Sequence, residues 1–384
     1  MKKKSVLALV SLMVVSAMFM TGAAADQGED VRSFTLQQAV DYALENSSAI
    51  KLADTAVDKA NVSLREAKSA YNSADKMSSA ERRAMGLSFE AAFENDKLNE
   101  GYYKKMAEMG LTLAEKGREQ AAEGVKMGVQ SAYFDLLFAR EKVEIQKSVL
   151  DSARRDMDVA NRKYELGMVS QMDVLSYEAS LETAKLNYAA ALRDEEYKRM
   201  SFNRTLGLPL GTAVELTDAL SHQQPPEVDI EEKVALALEN RYEIIAAKGQ
   251  SDLDKMNFEL TASWYPDNTY VHQQAKYQAE SSAYKLVSAQ QDVELSVRKA
   301  YMDMMSAYDS IAVLGKNVET LQKAYDIAKL RYDVGMATNQ DVINALNSLN
   351  DVKLQQLKAI HGYNLARIQF EASYGVGIGS AGGF

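Results

Sequence analysis

The chain has 384 residues, 44 basic against 54 acidic side chains, and no cysteine. The acidic balance argues against a nucleic-acid partner, whose phosphates demand a basic footprint. The missing cysteines exclude disulfides, thiolate catalysis and Cys-ligated metals, and three dispersed histidines (His222, His272, His361) argue against a His-built metal site.

Residues 1–25 read as a leader outside the fold. Lys2-Lys3-Lys4 is a basic start, Val6 to Met20 an apolar stretch, and Ala23-Ala24-Ala25 a small-residue cleavage site. That order is a secretory signal peptide, with an uncleaved anchor as the alternative. No cysteine follows it to carry a lipid, and no later stretch reads as a transmembrane helix. Removing the leader takes away three lysines and no acid, which leaves a net charge of −13.

Next comes an amphipathic helix near 35–46 and a longer helix near 49–70. The segment Leu87-Ser-Phe89-Glu-Ala91-Ala-Phe93 alternates over seven residues, compatible with a strand or a helix. From Lys97 to Gly124 the composition is charged and helix-like. Tyr102-Tyr103 beside Lys104-Lys105 fits either an ordinary helix surface or an interfacial membrane contact. A helix of about 50 residues, roughly 75 Å long, then runs to Gly167. It carries an apolar stripe at Leu150, Ala153, Met157, Ala160 and Tyr164, continued after the turn by Leu181, Ala184, Tyr188 and Ala191. Such a rod is unstable alone in water, so its stripe must be covered; the small alanines suit close antiparallel helix pairing.

The chain then repeats itself. Residues 129–209 align without a gap on 297–377 at an offset of 168: Ala132-Tyr133 on Ala300-Tyr301, Tyr164 and Gly167-Met168 on Tyr332 and Gly335-Met336, Asp173-Val174 on Asp341-Val342. Ala43-Leu44-Glu45-Asn46 recurs as Ala237-Leu238-Glu239-Asn240 at an offset of 194. The expected organisation is a first repeat at 26–220, a linker at 221–228 containing Pro225-Pro226, and a second repeat at 229–384. Short and long helices are expected again near 229–240 and 242–263, and the stripe returns at Val318, Leu321, Tyr325, Ala328 and Tyr332. The four prolines (Pro209, Pro225, Pro226, Pro266) all avoid helix interiors. The expected fold is all-α: long antiparallel helical hairpins in two tandem repeats.

The hairpin tips carry the sharpest local signal. Gly167 and Gly335 read as left-handed residues that stop a helix. Ser170 with Asp173, and Thr338 with Asp341, read as N-cap residues with an acid at N3 that restart one. The acids serve as caps, and a capped tip is also a rigid place from which to present a side chain.

These residues resemble the TolC-like family of trimeric outer-membrane efflux channels. The resemblance rests on Phe34-Thr-Leu36-x-x-Ala39-x-x-x-Ala43-Leu44-Glu-Asn46, the paired Tyr-x-x-Gly tips followed by Asp-Val, and Leu206-Gly207-Leu208-Pro209. It implies a homotrimeric helical tunnel in the cell envelope. The tunnel would be the exported duct of a tripartite efflux or type I secretion system, meeting a periplasmic adaptor (membrane fusion) protein and an inner-membrane transporter, with no cofactor. By the same resemblance Asp173 and Tyr332 match residues that hold the entrance closed, and Asp341 an acidic ring that favours cations. Gly167, Met168, Gly335 and Met336 match tip positions contacted by adaptor hairpins. Ala337 stands where some members carry a gate arginine and Asn344 where some carry a second aspartate, which weakens gate and ring. The family also inserts a pair of membrane strands into each repeat. After the helix ending near Tyr71 there is only the 87–93 alternation, and after Trp264 only Pro266-Asp-Asn-Thr-Tyr-Val-His, so the expected barrel is reduced or missing. A non-conducting cell-envelope scaffold or adaptor-binding protein is the alternative. An enzyme is disfavoured by the lack of a nucleophile elbow, metal spacing or phosphate loop.

Overall fold

The computed structural model describes residues 31–74, 81, 86 and 88–377; the leader at 1–25 and Leu87 lie outside them. Among the described residues there are nine helices and two short strands, in the order β1 (Arg32–Phe34), α1 (Leu36–Asn46), α2 (Ser48–Ser73), α3 (Phe89–Asn99), α4 (Tyr102–Glu165), α5 (Gln171–Leu206), β2 (Val214–Leu216), α6 (Ile230–Asn240), α7 (Tyr242–Trp264), α8 (Tyr270–Asp333) and α9 (Asn339–Ser373). The all-α expectation holds, and the second repeat reproduces the first: α1, α2, α4, α5 match α6, α7, α8, α9.

Helices α4 and α8 each have 64 residues, about 96 Å at 1.5 Å per residue. They exceed the expected length because no strand pair interrupts their N-terminal halves. Phe89 to Phe93 lies in helix α3, not in a strand. In the second repeat the chain passes from Trp264 to Tyr270 through a turn that contains Pro266, with Thr269 capping α8 through its hydroxyl. At this end Phe93 is buried, and its ring meets Trp264 and Tyr265 at centroid distances of 5.9 and 5.4 Å. Trp264 also donates its indole N–H to Asp96 at 2.7 Å, tying the first repeat to the second. Tyr103 donates to Glu94, so the Tyr102-Tyr103 pair is engaged in packing α4 on α3.

Each long helix is flanked as its stripe demands. α4 packs against α5, α2, α9 and α7, and α8 against α9, α7 and α6. One core surrounds the buried Tyr133, Leu136, Phe202 and Leu206; the second surrounds Val297, Met304, Tyr363 and Phe370. Each such side chain contributes about 1.5–3 kcal/mol by leaving water. Towards the tips the packing thins to Leu150, Ala153 and Ala184, the alanine seam read from the stripe.

The two strands form a parallel pair, Arg32 opposite Val214 and Phe34 opposite Leu216. The pair clasps the first repeat at mid-rod. Tyr133 donates to Asp218 Oδ2 at 2.8 Å, and the same oxygen accepts from Leu36 N–H at 2.8 Å. Residues 217–229 then cross to the second repeat without a regular element.

Candidate functional site at the hairpin tips

Each tip is a helix stop followed at once by a helix start. Gly167 (φ +67°) and Gly335 (φ +76°) occupy the left-handed region, where an L side chain is strained. Gly167 N–H donates to Tyr164 O at 2.9 Å and Met168 N–H to Lys163 O at 2.8 Å. Gly335 and Met336 repeat this on Tyr332 O (3.0 Å) and Arg331 O (2.7 Å). These are Schellman closures that satisfy the last carbonyls of α4 and α8.

The restart is a capping box at both tips. Asp173 Oδ2 accepts from Ser170 N–H (2.9 Å) and Ser170 Oγ–H (2.7 Å), while Asp173 N–H donates back to Ser170 Oγ at 3.2 Å. Asp341 does the same with Thr338 at 2.8, 2.7 and 3.2 Å. The Ser170 hydroxyl, then its backbone N–H, holds the Asp173 carboxyl below its ordinary value; Thr338 does the same for Asp341. Asp341 is exposed and Asp173 half-buried, and both are ionised at neutral pH. Beside them Leu166, Met168, Val334 and Met336 project into solvent, an apolar rim around two fixed negative charges.

The tips touch each other through residues that sequence reasoning did not single out. Lys163, at the end of α4, lies 4.4 Å over the Tyr332 ring and 3.8 Å from Asp333. Asn339 is buried at the start of α9 and donates to Asp173 O at 3.5 Å. Tyr332 faces the buried Tyr177, whose phenol is pushed up by burial and by its neighbour. The Tyr332 hydroxyl is buried against the Tyr177 phenol, but the two do not meet in good hydrogen-bond geometry. Within one chain, then, Asp173 and Tyr332 lie at adjoining tips but share no hydrogen bond; Asp173 is engaged by Ser170. Tyr177 is four residues after Asp173, one helical turn on the same face, a signal available from spacing alone.

Above the tips a groove of about 350 Å³ runs between α4, α5 and α9. Asp156, Tyr177, Asn187, Gln340 and Asn347 line it, and burial pushes the Asp156 carboxyl up against the opposing pull of Lys329 and Arg155. Among the described residues no cluster of acids and histidines has metal-binding geometry, and no helix is long and apolar enough to cross a membrane.

Comparison with known proteins agrees with this geometry. Residues 245–376 match the model of the outer membrane efflux protein family. The chain is similar to the TolC-like outer-membrane efflux proteins. Outer membrane protein TolC of Vibrio cholerae is 21% identical over 356 residues, covering 74% of this chain and 78% of that protein. TolC of Salmonella enteritidis is 20% identical, covering 77% and 71%. Among solved structures, CusC superposes with a TM-score of 0.70 at 13% identity, over 89% of this chain and 92% of that one. The open-state MtrE channel of Neisseria gonorrhoeae gives 0.70 at 16% identity, over 89% of each chain. VceC of Vibrio cholerae gives 0.69 at 14% identity, over 89% of this chain and 96% of its own. The fold is therefore that of the TolC-like helical channels. The matched family model is of outer membrane efflux proteins, and both TolC relatives are outer membrane proteins.

Proposed function

We propose that the chain is the duct subunit of a tripartite efflux or type I secretion system. Three copies, each with repeats at 26–220 and 229–384 joined by 221–228, form an α-helical tunnel that conducts substrate and performs no covalent chemistry. The carrying observation is physical. Hairpins built on rods about 96 Å long leave Leu186, Tyr197, Met302, Val313, Ile327 and Leu330 exposed along their sides, and neighbouring chains would complete the burial.

In this reading the tips are the tunnel entrance. Tyr332, with an unsatisfied buried hydroxyl, and Asp173 form the gate once a neighbouring hairpin is present. Asp341 supplies one carboxylate per copy to a ring that favours cations. Gly167, Met168, Gly335 and Met336, at the apolar rim, receive the periplasmic adaptor, which couples the duct to an inner-membrane transporter. Light scattering and planar-bilayer recording test this: a trimer that conducts is expected, and a monomer with no conductance overturns it.

A second reading is favoured by one observation. In the second repeat, α7 turns directly into α8, which leaves no strand pair there. A non-conducting envelope scaffold would keep the bundle without a membrane pore. Reconstitution into liposomes separates the two, since the duct partitions into lipid and conducts whereas the scaffold remains in the supernatant.

A further inference from the structure

In each repeat the short helix packs on the long one, α1 on α4 and α6 on α8, and the two corners differ in charge. In the second repeat Arg298 lies 2.8 Å from Glu231 and 2.9 Å from Glu294. The repeat offsets of 194 and 168 put Gln37, Gln130 and Lys126 in the places of Glu231, Arg298 and Glu294. One cation clasped by two acids thus becomes one cation beside two amides. The first corner has lost the carboxylates that satisfy the second.

That corner also opens into a cleft. A space of about 510 Å³ lies between α1, α4, the segment that crosses after β2, and α9. Lys126 from α4 and Arg367 from α9 both line it, together with Gln130 and the buried Asn364. Leu36, Val40 and Phe134 supply an apolar wall. Lys126 lies 3.6 Å from Glu123 and Arg367 lies 3.4 Å from Glu371, each an acid of the same helix; such surface pairs hold little energy in water. Arg367 also donates to Gln223 Oε1 at 2.9 Å. A guanidinium has five N–H donors and an ammonium three, so both cations keep donors for a ligand. Among the described residues Asp218 is the one acid lining the cleft. Its Oδ2 is already engaged by the Tyr133 hydroxyl and by Leu36 N–H at the start of α1.

We propose that this cleft binds a small organic carboxylate, held by Lys126 and Arg367 with its hydrocarbon part against Val40 and Phe134. Two cations select an anion, and the planar arginine fork matches a carboxylate. The apolar wall and the volume favour an organic molecule over a bare inorganic ion. Clefts of about 300–1,000 Å³ at the junction of two structural units commonly hold ligands of this kind. One cation comes from each repeat, so the bound carboxylate ties α4 to α9 across their junction. The site shares no residue with the hairpin tips.

Isothermal titration calorimetry of the purified protein with succinate, at fixed ionic strength, is expected to show one saturable site per chain. Lys126→Gln and Arg367→Gln should each weaken binding by about tenfold or more, as loss of a charge-assisted hydrogen bond demands. Gln37→Glu combined with Lys126→Glu and Gln130→Arg rebuilds the second repeat's ion cluster in the first, and is expected to abolish binding. Circular dichroism verifies folding of each variant. Inorganic phosphate, titrated in parallel, is expected to bind more weakly than succinate. A parent protein with no saturable isotherm, or full affinity in any folded variant, overturns the site. Phosphate that binds as tightly as succinate overturns the assignment to an organic ligand.

Discussion

Gly335→Ala isolates the backbone contribution to the tip. A Cβ added there meets nothing within 4 Å, so packing does not change and the whole effect is conformational. Holding an L residue in the left-handed region costs about 1–2 kcal/mol. Amide hydrogen exchange at residues 335 and 336, which close the α8 terminus onto Tyr332 and Arg331, is expected to speed up by a factor of about 5–30. Gly335→Asn is expected to stay nearer the parent, because asparagine tolerates this conformation. Gly110, in the helical body of α4, also has open space around its Cβ position but an ordinary φ. There the same change should have the opposite sign, stabilising by about 0.5–1 kcal/mol. Equal exchange for parent and Gly335→Ala, or destabilisation by Gly110→Ala, would refute the conformational argument.

Other outcomes follow from the same geometry. Tyr133→Phe removes a hydroxyl whose acceptors, Asp218 and Phe34 O, keep Leu36 N–H and Thr217 N–H as donors. It should therefore cost only about 1–2 kcal/mol, seen as faster exchange of the Thr217 amide, whereas a loss above about 4 kcal/mol would contradict the reasoning that the acceptors stay satisfied. Burial acts to raise the Asp135 carboxyl, but hydrogen bonds from His361 and Lys198 outweigh it and hold it below its ordinary value of 3.8. A lowered folded value means this contribution is present above pH 3.8 and is lost as pH falls through the folded value. Thermal melts from pH 5 to pH 3 should thus flatten in Asp135→Asn, and an unchanged slope would contradict it. Asp173→Ala combined with Tyr332→Phe should raise single-channel conductance or antibiotic sensitivity in the assembled duct. No change in either would leave Asp173 as a cap alone.

Much of the fold was legible because it is local and duplicated. Gly167, Ser170 and Asp173 announce stop and restart within one stretch of chain, and Gly335, Thr338 and Asp341 announce it again. Helices α1, α2, α6 and α7 lie within a few residues of their expected bounds for the same reason. The β1–β2 clasp escaped notice because three-residue strands have no readable period and pair across more than half of the first repeat's length. The long helices were read short at their N-termini, since Lys97–Gly124 is charged and four glycines punctuate α4. Glycine at an exposed helical position costs only about 1 kcal/mol, too little to end a helix packed on two neighbours. The Asp135–His361 pair was invisible because the repeat places arginine, not histidine, at the equivalent position. Tyr177 and Lys163 at the tips act across hairpins, and a single chain's periodicity does not reveal which faces adjoin.

The most direct test is electron cryo-microscopy of the detergent-extracted protein, viewed in cross-section midway along the rods. A closed ring of helices around an open lumen is the predicted result. A solid bundle with side chains filling its axis, or solitary rods, would contradict the account.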